Sequence, residues 1–169
     1  AYGVAVGAAA RCSGRRRHAI MARMPELPEV ETVVRGLRAA GVAGAVIRDV
    51  AVRWARSVAP APGLFAAALR GRRIVRLGRR AKYIVATLDD GRLLLIHLRM
   101  TGKLLLVAGG AAEAPHDRVI FDLADGRRLR FNDTRKFGRL QLTAAPAERL
   151  ARLGPEPLAP AMPTTRARE

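Results

Sequence analysis

The residues Met24-Pro25-Glu26-Leu27-Pro28-Glu29-Val30-Glu31 begin the first regular element that the sequence predicts. Pro28 suits the first turn of a helix, and Glu29 lies where the helix dipole favours an acid. Apolar residues then recur at the i, i+3, i+4 and i+7 positions of one helical face, namely Val30, Val33, Val34 and Leu37. Because Gly41 is a natural stop, the pattern predicts an amphipathic helix over residues 28–40.

Downstream of this helix, short apolar segments alternate with turn signals. The expected strands cover residues 46–53, 74–77, 83–88, 93–98, 104–107, 119–123, 129–131 and 140–142, and residues 64–69 favour a short helix. Asp89-Asp90-Gly91 and Asp125-Gly126 separate neighbouring segments in the way that hairpin turns do. Many short strands at regular spacing are typical of a sandwich or a barrel. We therefore expect a mainly β fold with helices (α+β): an antiparallel two-sheet β-sandwich flanked by the amino-terminal helix and a short helix.

The composition points to a polyanionic partner. The chain has 169 residues, 31 Lys and Arg against 14 Asp and Glu, and a formal net charge of +17. Nearly all of the positive charge is arginine, whose planar fork suits phosphate oxygens, so nucleic acid is the expected partner. A compositional bias toward Ala and Arg would also produce this charge. The single cysteine, Cys12, excludes an internal disulfide and a cysteine-based zinc site, and no apolar run reaches the roughly 18 residues of a membrane span.

The two ends of the chain differ in character from the part between them. Residues 1–23 contain five arginines and no acid. That composition is typical of a transit peptide, although an upstream stretch translated ahead of the true start, for which Met21 and Met24 are candidates, explains it better. Residues 154–169 are rich in proline and lack periodicity. We expect an extension over residues 1–23, a catalytic domain over 24–153 and a truncated linker over 154–169.

The opening block resembles the amino terminus of the formamidopyrimidine-DNA glycosylase family, which are bifunctional glycosylases and abasic-site lyases. Further blocks of the family pattern follow in family order over residues 24–158: Arg79-Arg80-Ala81-Lys82-Tyr83, His97-Leu98-Arg99-Met100-Thr101-Gly102, Pro115-His116-Asp117, Asn132-Asp133-Thr134-Arg135-Lys136-Phe137-Gly138 and Leu153-Gly154-Pro155-Glu156-Pro157-Leu158. The resemblance implies that the chain contains the amino-terminal catalytic domain of such an enzyme.

The resemblance also implies a set of catalytic residues. Pro25 matches the amino-terminal nucleophile, Glu26 the general acid/base, Lys82 a lysine that contacts the phosphate beside the lesion and donates a proton in β-elimination, and Glu29 a supporting carboxylate. A free prolyl nitrogen is a secondary amine that can form a Schiff base with a sugar carbon. Because Met24 acylates this nitrogen in the chain as written, activity requires initiation at Met24 and removal of that methionine. Read without the resemblance, Pro25 would merely open a helix, and Glu26 and Glu29 would be first-turn acids.

Four further residues match DNA contacts of the family. Met100, Arg135 and Phe137 correspond to the residues that fill the gap left when the damaged nucleotide turns out of the stack. His116 corresponds to a residue that contacts DNA from a loop. The ordinary alternative for Met100 and Phe137 is core packing, whereas their places near turns favour exposure. His97 interrupts an apolar strand, and we interpret it as a core histidine.

The expected function is base-excision repair: removal of 8-oxoguanine and formamidopyrimidines from duplex DNA, followed by strand cleavage at the abasic site. The partner would be double-stranded DNA with an oxidised purine or abasic site, and the protein a cytoplasmic, chromosome-associated monomer. The family's helix–two-turn–helix module and zinc finger have no counterpart here, so we expect no metal or other cofactor. Two alternatives stay open: a catalytically silent DNA-binding fragment of such an enzyme, and a basic RNA-binding protein of ribosomal type, which leaves the Pro-Glu-Leu-Pro-Glu block unexplained.

Overall fold

The computed structural model describes residues 27–144, together with 148 and 151, and over these residues it contains two helices and nine strands. The helices are α1 (Leu27–Ala39) and α2 (Pro62–Leu69), and Ala55–Ser57 form one 3-10 turn. The strands are β1 (Ile47–Val52), β2 (Val58–Ala59), β3 (Ile74–Arg80), β4 (Tyr83–Leu88), β5 (Leu93–His97), β6 (Lys103–Ala108), β7 (Asp117–Leu123), β8 (Arg127–Asn132) and β9 (Arg139–Thr143). The predicted residues Pro25 and Glu26, the extension 1–23 and the linker 154–169 lie outside the described residues, and the domain boundaries stay predictions.

The strands form two sheets, which confirms the predicted fold class. One sheet has the order β1-β7-β8-β6, and the other has the order β2-β9-β5-β4-β3. All pairings are antiparallel except that between β2 and β9, where Val58 and Ala59 run parallel to Leu140 and Gln141. β2 was not predicted, because two residues are too few for an alternating pattern.

The core lies between the sheets and beneath α1. The predicted apolar face of α1 is confirmed, since Val30, Val33, Val34 and Leu37 are each at most 3% exposed. Phe121 and Phe131, on the neighbouring strands β7 and β8, are among the largest fully buried side chains. Full burial of such a side chain contributes about 1.5–3 kcal/mol, so this core is the main source of stability.

Several strands extend beyond their apolar segments. β3 continues from Leu77 to Arg80, because its backbone pairs with β4 as far as Arg80 opposite Tyr83. β7 begins at Asp117, which pairs with Asn132 at the end of β8. Backbone hydrogen bonds, and not burial of side chains, determine where these strands end. The positions of the strand ends in turn determine which loops lie next to each other.

The register brings four loops to one edge of the sandwich. Tyr83 lies opposite His97, and His97 opposite Arg139, so the turn before β4, the turn after β5 and the loop before β9 share one end of their sheet. In the other sheet, Asn132 lies opposite both Lys103 and Asp117. The connections β5–β6 and β8–β9 cross between the sheets here. We call residues 81–82, 98–102, 115–116 and 133–138 the site edge.

Candidate nucleic-acid interface

Lys82 lies in the β3–β4 turn, which Arg79 ties to α1. The Arg79 side chain is 4% exposed, and its Nε donates to Glu31 Oε2 at 3.1 Å while its Nη1 donates to the Ala81 carbonyl at 3.1 Å. Burial would raise the pKa of Glu31, but the hydrogen bonds and charges of Arg79 and Arg35 outweigh it and hold that pKa below its usual value. The beginning of α1 is therefore held beside half-buried Lys82.

Met100 lies in the β5–β6 turn. The backbone N–H of Arg99 donates to His97 Nδ1 at 3.0 Å, and the N–H of Gly102 donates to the Leu98 carbonyl at 2.9 Å. A Cβ at position 102 would lie 2.4 Å from that carbonyl oxygen, so only glycine fits. The turn presents Met100 half-buried at the surface, not in the core.

His97 is half-buried next to this turn, so its interpretation as a core histidine was wrong. Its ring packs edge-on against Tyr83, with centroids 4.7 Å apart. Burial, and then the charges of Arg99 and Lys82, lower the pKa of His97 to about 4. His97 is therefore neutral near pH 7, with Nδ1 as an acceptor and the proton on Nε2. It supports the turns of Lys82 and Met100 and adds no charge to the site.

The loop 133–138 displays Arg135 and Phe137. Phe137 is 49% exposed, one of the few large apolar side chains that the described residues leave in solvent. The Arg135 guanidinium carbon lies 4.9 Å from the centroid of the Phe137 ring. Lys136 turns the other way, with Nζ 4.1 Å from the centroid of the Trp54 ring. An exposed aromatic ring with a cation on its face is suited to stacking against bases.

Met100 and Phe137 meet at one cavity. An open cavity of about 310 Å³ is lined by Arg99, Met100, Phe137 and Arg139. Two apolar side chains and two guanidinium groups thus face the same space, where the apolar surface can contact base faces and the arginines phosphates. Of the predicted DNA contacts, Met100 and Phe137 line this cavity, and Arg135 lies on the ring of Phe137.

His116 is exposed at the end of the loop that precedes β7. Arg118 connects it to the loop of Arg135: its Nη2 lies 3.1 Å from His116 Nδ1, and its Nε donates to the Asp133 carbonyl at 2.8 Å. The buried pair of Arg130 and Asp117, 3.4 Å apart, holds the base of the His116 loop. His116 therefore stands on the same edge as Arg135.

Backbone strain is concentrated at the site edge. The non-glycine residues with positive φ in the described part of the chain are Ala81 (49°), Arg99 (56°), His116 (74°) and Lys136 (63°). Each is a candidate site residue or a direct neighbour of one. This conformation costs about 1–2 kcal/mol for a residue with a Cβ, and such costs collect at functional sites.

The charge of the site edge is also unbalanced. No described carboxylate forms an ion pair with Arg99, Arg135 or Lys136, whereas arginines elsewhere form pairs such as Arg53 with Glu113 and Arg70 with Asp49. Unneutralised cations around an apolar cavity attract a polyanion. Glu29 lies half-buried in the first turn of α1, where the sequence predicted it.

Two residues that organise this edge, Thr101 and Asp133, were assigned no role from the sequence. Asp133 is fully buried, and its carboxylate accepts hydrogen bonds from the Thr101 hydroxyl and from the backbone N–H groups of Arg135 and Gly138. Both residues lie within motif blocks, which was the available signal. Thr101 and Asp133 are 32 positions apart, so only the fold shows that they are partners.

The described residues contain neither a candidate metal site nor a candidate membrane span. No group of three or more His, Cys, Asp and Glu side chains is placed to hold a metal ion. None of the helices there is both long enough and apolar enough to cross a membrane.

Comparisons with known proteins point to one family. The family described as formamidopyrimidine-DNA glycosylase N-terminal domain matches residues 24–140. The formamidopyrimidine-DNA glycosylase of Chloroflexus aggregans is 49% identical over 137 residues, which cover 80% of this chain and 50% of the relative. That of Protochlamydia amoebophila is 40% identical over 136 residues, covering 80% and 49%. The chain spans about half the length of the curated relatives it matches.

Solved structures give the same result. The Lactococcus lactis formamidopyrimidine-DNA glycosylase, non-covalently bound to DNA containing an AP site, matches with a TM-score of 0.67 and 34% identity over 70% of this chain and 45% of that one. Its complex with DNA containing FAPY-dG matches with a TM-score of 0.70 and 32% identity, over 75% and 48%.

Proposed function

The chain belongs to the formamidopyrimidine-DNA glycosylase family, and on that premise we propose that it acts in base-excision repair of DNA. It removes oxidised purines, 8-oxoguanine and formamidopyrimidines, by cleaving the N-glycosidic bond, and then cleaves the strand at the abasic site. Its partner is duplex DNA that carries such a lesion or an abasic site. It acts as a monomer, in the cytoplasm at the chromosome, and binds no cofactor within this chain.

One observation carries the proposal: Met100 and Phe137 line one open cavity with two arginines, and the Arg135 guanidinium lies on the ring of Phe137. Flipping a nucleotide leaves a gap that collapses unless side chains fill it. Met100 and Phe137 fill the stack, and the Arg135 guanidinium hydrogen-bonds to the orphaned base. His116, on the same edge, binds a backbone phosphate. The related Lactococcus lactis structures contain AP-site or FAPY-dG DNA.

The chemical step belongs to the residues before α1. The Pro25 nitrogen, as a free secondary amine, attacks C1′ of the sugar. A bond forms between this nitrogen and C1′ while the glycosidic bond breaks, and the departing base keeps the electron pair and takes up a proton. The attacking amine gives up its proton, Glu26 protonates the ring oxygen, and the sugar opens to an iminium ion, a cationic Schiff base without an N–H. Glu29 supports this site from the first turn of α1.

Lys82 acts in the second step. Loss of a proton from C2′ and departure of the 3′ phosphate cleave the strand, and Lys82 binds the phosphate beside the lesion and donates a proton in this β-elimination. The Arg79 bridge between Glu31 and the Ala81 carbonyl keeps the Lys82 turn beside the helix that follows Pro25 and Glu26 in the sequence.

Borohydride trapping on a duplex with one 8-oxoguanine tests the chemistry. The reductant converts the Schiff base to a stable covalent adduct, so a chain that begins at Pro25 should give a protein–DNA band. The 169-residue chain, whose Pro25 nitrogen is an amide, should give none. Glu26→Gln in the Pro25 form is the matched control and should give little adduct while binding DNA normally.

Binding to a duplex with a tetrahydrofuran abasic-site analogue separates the outcomes. An adduct only from the Pro25 form supports the proposal. Selective binding without an adduct from either form would identify a silent DNA-binding module. Equal affinity for damaged and intact duplex, with no adduct, would contradict the proposed function.

A further inference from the structure

Asp133 is a buried carboxyl group at the centre of the site edge. It is 0% exposed. Its Oδ1 accepts from the Thr101 hydroxyl and from the Arg135 N–H at 3.2 Å, and its Oδ2 accepts from the Gly138 N–H at 2.7 Å. Both oxygens are thus used, and each contact goes to a loop that carries a residue at the cavity.

The backbone of Asp133 extends this connection to the third loop. Its N–H donates to the His116 carbonyl at 3.0 Å, and its carbonyl accepts from Arg118 Nε at 2.8 Å. One residue therefore contacts the loops of Met100, His116 and Arg135.

A carboxyl group is an unusual choice for this position if stability alone is at issue. Burying it is costly unless hydrogen bonds satisfy it. Within the described chain, no cation forms an ion pair with the Asp133 carboxylate, and its side-chain partners are a hydroxyl and two backbone amides. These hydrogen bonds fix the positions of loops 98–102 and 133–138 relative to the two carboxylate oxygens.

The loop has little room to move around this group. A Cβ at Gly138 would lie 2.3 Å from Phe131 Cζ and 3.2 Å from Asp133 Oδ2. The backbone after Phe137 therefore runs tightly between a core ring and the carboxylate. A shift of the backbone at Phe137 would strain the hydrogen bond from the adjacent Gly138 N–H to Asp133 Oδ2.

We propose that Asp133 and Thr101 form a brace that sets the spacing between Met100 and the Arg135–Phe137 pair. This spacing determines the preference for a duplex with an abasic site over an intact duplex. The inference rests on the proposed function. Both are positioning residues, which act through Met100, Arg135 and Phe137. Without the brace the two sides of the cavity move independently, while the exposed cations still attract any duplex.

The test compares variants of the full 169-residue chain. Thr101→Val removes the hydroxyl at nearly constant volume, and Asp133→Asn turns an amide NH2 toward one of the backbone N–H groups. Thr101→Ser restores the hydroxyl and is the rescue variant. Leu123→Ala, which lowers stability from a buried site in β7 near the opposite edge, is the control for general destabilisation.

Two measurements are made on each variant. The first is the ratio of affinities for a tetrahydrofuran-containing duplex and the matching intact duplex, which should fall about tenfold for Thr101→Val and Asp133→Asn, as for one lost hydrogen bond. The second needs no DNA: acrylamide quenching of Trp54, the one tryptophan of the chain, whose ring lies 4.1 Å from Lys136 Nζ. Release of loop 133–138 would move Lys136 away from the Trp54 ring, so quenching of Trp54 by acrylamide should increase.

The outcomes separate the two proposals. The brace is supported if Thr101→Val and Asp133→Asn both lower the ratio of affinities for abasic-site and intact duplex and increase Trp54 quenching. Thr101→Ser and Leu123→Ala should then show neither change. An unchanged ratio in both variants, or the same loss in Leu123→Ala, overturns it. If the parent chain does not prefer the abasic-site duplex and the Pro25 form gives no adduct, the proposed function fails. The brace then depends on the Trp54 measurement alone, and unchanged quenching overturns it.

Discussion

The two ends of strands β5 and β8 differ in how their loops are built. At the ends where these strands begin are the hairpin turns 89–92 and 124–126, which we call the hairpin edge. There the positive φ angles belong to Gly91 and Gly126, at 83° and 86°. At the other ends lies the site edge, where Arg99 and Lys136 adopt positive φ without being glycine.

The electrostatics of the two edges differ in the same way. In each hairpin an aspartate accepts from the backbone and the guanidinium of the arginine two residues later: Asp90 from Arg92, and Asp125 from Arg127. Hydrogen bonds from those arginines lower the pKa of both aspartates. At the hairpin edge the aspartates therefore neutralise the arginines. At the site edge, backbone strain is combined with cations that no described carboxylate pairs with, and such a surface attracts a polyanion.

The largest effect is expected from a methyl group at the site edge. Gly102→Ala would place Cβ 2.4 Å from the Leu98 carbonyl oxygen, so the turn must shift, at a cost of about 3 kcal/mol. Gly126→Ala meets only the positive φ and should cost about 1–2 kcal/mol. Urea unfolding measures both, and the preference for abasic-site duplex should fall only for Gly102→Ala.

Gly110→Ala is the matched control, because its Cβ would meet no atom within 4 Å. Its unfolding free energy should equal that of the parent. Equal costs for Gly102→Ala and Gly126→Ala would show that the β5–β6 turn is not tightly built, and the comparison of the two edges would fail.

Exchange of the two edges' arginines for alanine should separate binding from stability. Arg135→Ala removes an exposed side chain and should change the unfolding free energy by less than about 0.5 kcal/mol. Its preference for an abasic-site duplex over an intact one should fall about tenfold or more, because the guanidinium no longer pairs with the orphaned base.

Arg127→Ala should behave in the opposite way. Arg127 donates to Asp125 and to the carbonyls of Ala40 and Gly41 at the end of α1, so its loss should cost about 1 kcal/mol of stability. Its duplex preference should equal that of the parent. A fall in preference for Arg127→Ala, measured by fluorescence anisotropy at fixed salt, would show that DNA contacts extend to the hairpin edge.

The sequence was most informative where side-chain burial alone determines structure. The 3.6-residue period of Val30, Val33 and Leu37 predicted α1, and the apolar segments predicted all strands except the two-residue β2. Strand ends were less predictable, because in β3 the backbone pairing continues past the apolar segment through Arg79 and Arg80. No local pattern contains that information.

The site was only partly predictable for a related reason. Motif blocks gave Met100, Arg135 and Phe137, but the brace of Thr101 and Asp133 depends on a contact across 32 positions. The positive φ angles of Arg99 and Lys136 were not foreseeable either, since neither residue type favours that conformation. His97 was misjudged because its apolar neighbours Ile96 and Leu98 are buried, whereas its own position at the end of β5 is at the site edge.

The smallest expected effect is the pH dependence of stability at the two edges. The folded state lowers the pKa of His97 from 6.5 to about 4, so it favours the neutral ring. The stability that this provides is complete above pH 6.5 and is lost as the pH falls toward 4, by about 1 kcal/mol after allowance for solvent screening. His97→Gln, whose amide oxygen can accept from the Arg99 N–H, should remove this slope from urea unfolding between pH 7 and pH 4.5. Asp125→Asn is the control from the hairpin edge: because the pKa of Asp125 is lowered from 3.8, its contribution is lost only below that pH. Its slope between pH 7 and pH 4.5 should therefore match that of the parent, and a parent-like slope in His97→Gln would show that another group at the site edge titrates there.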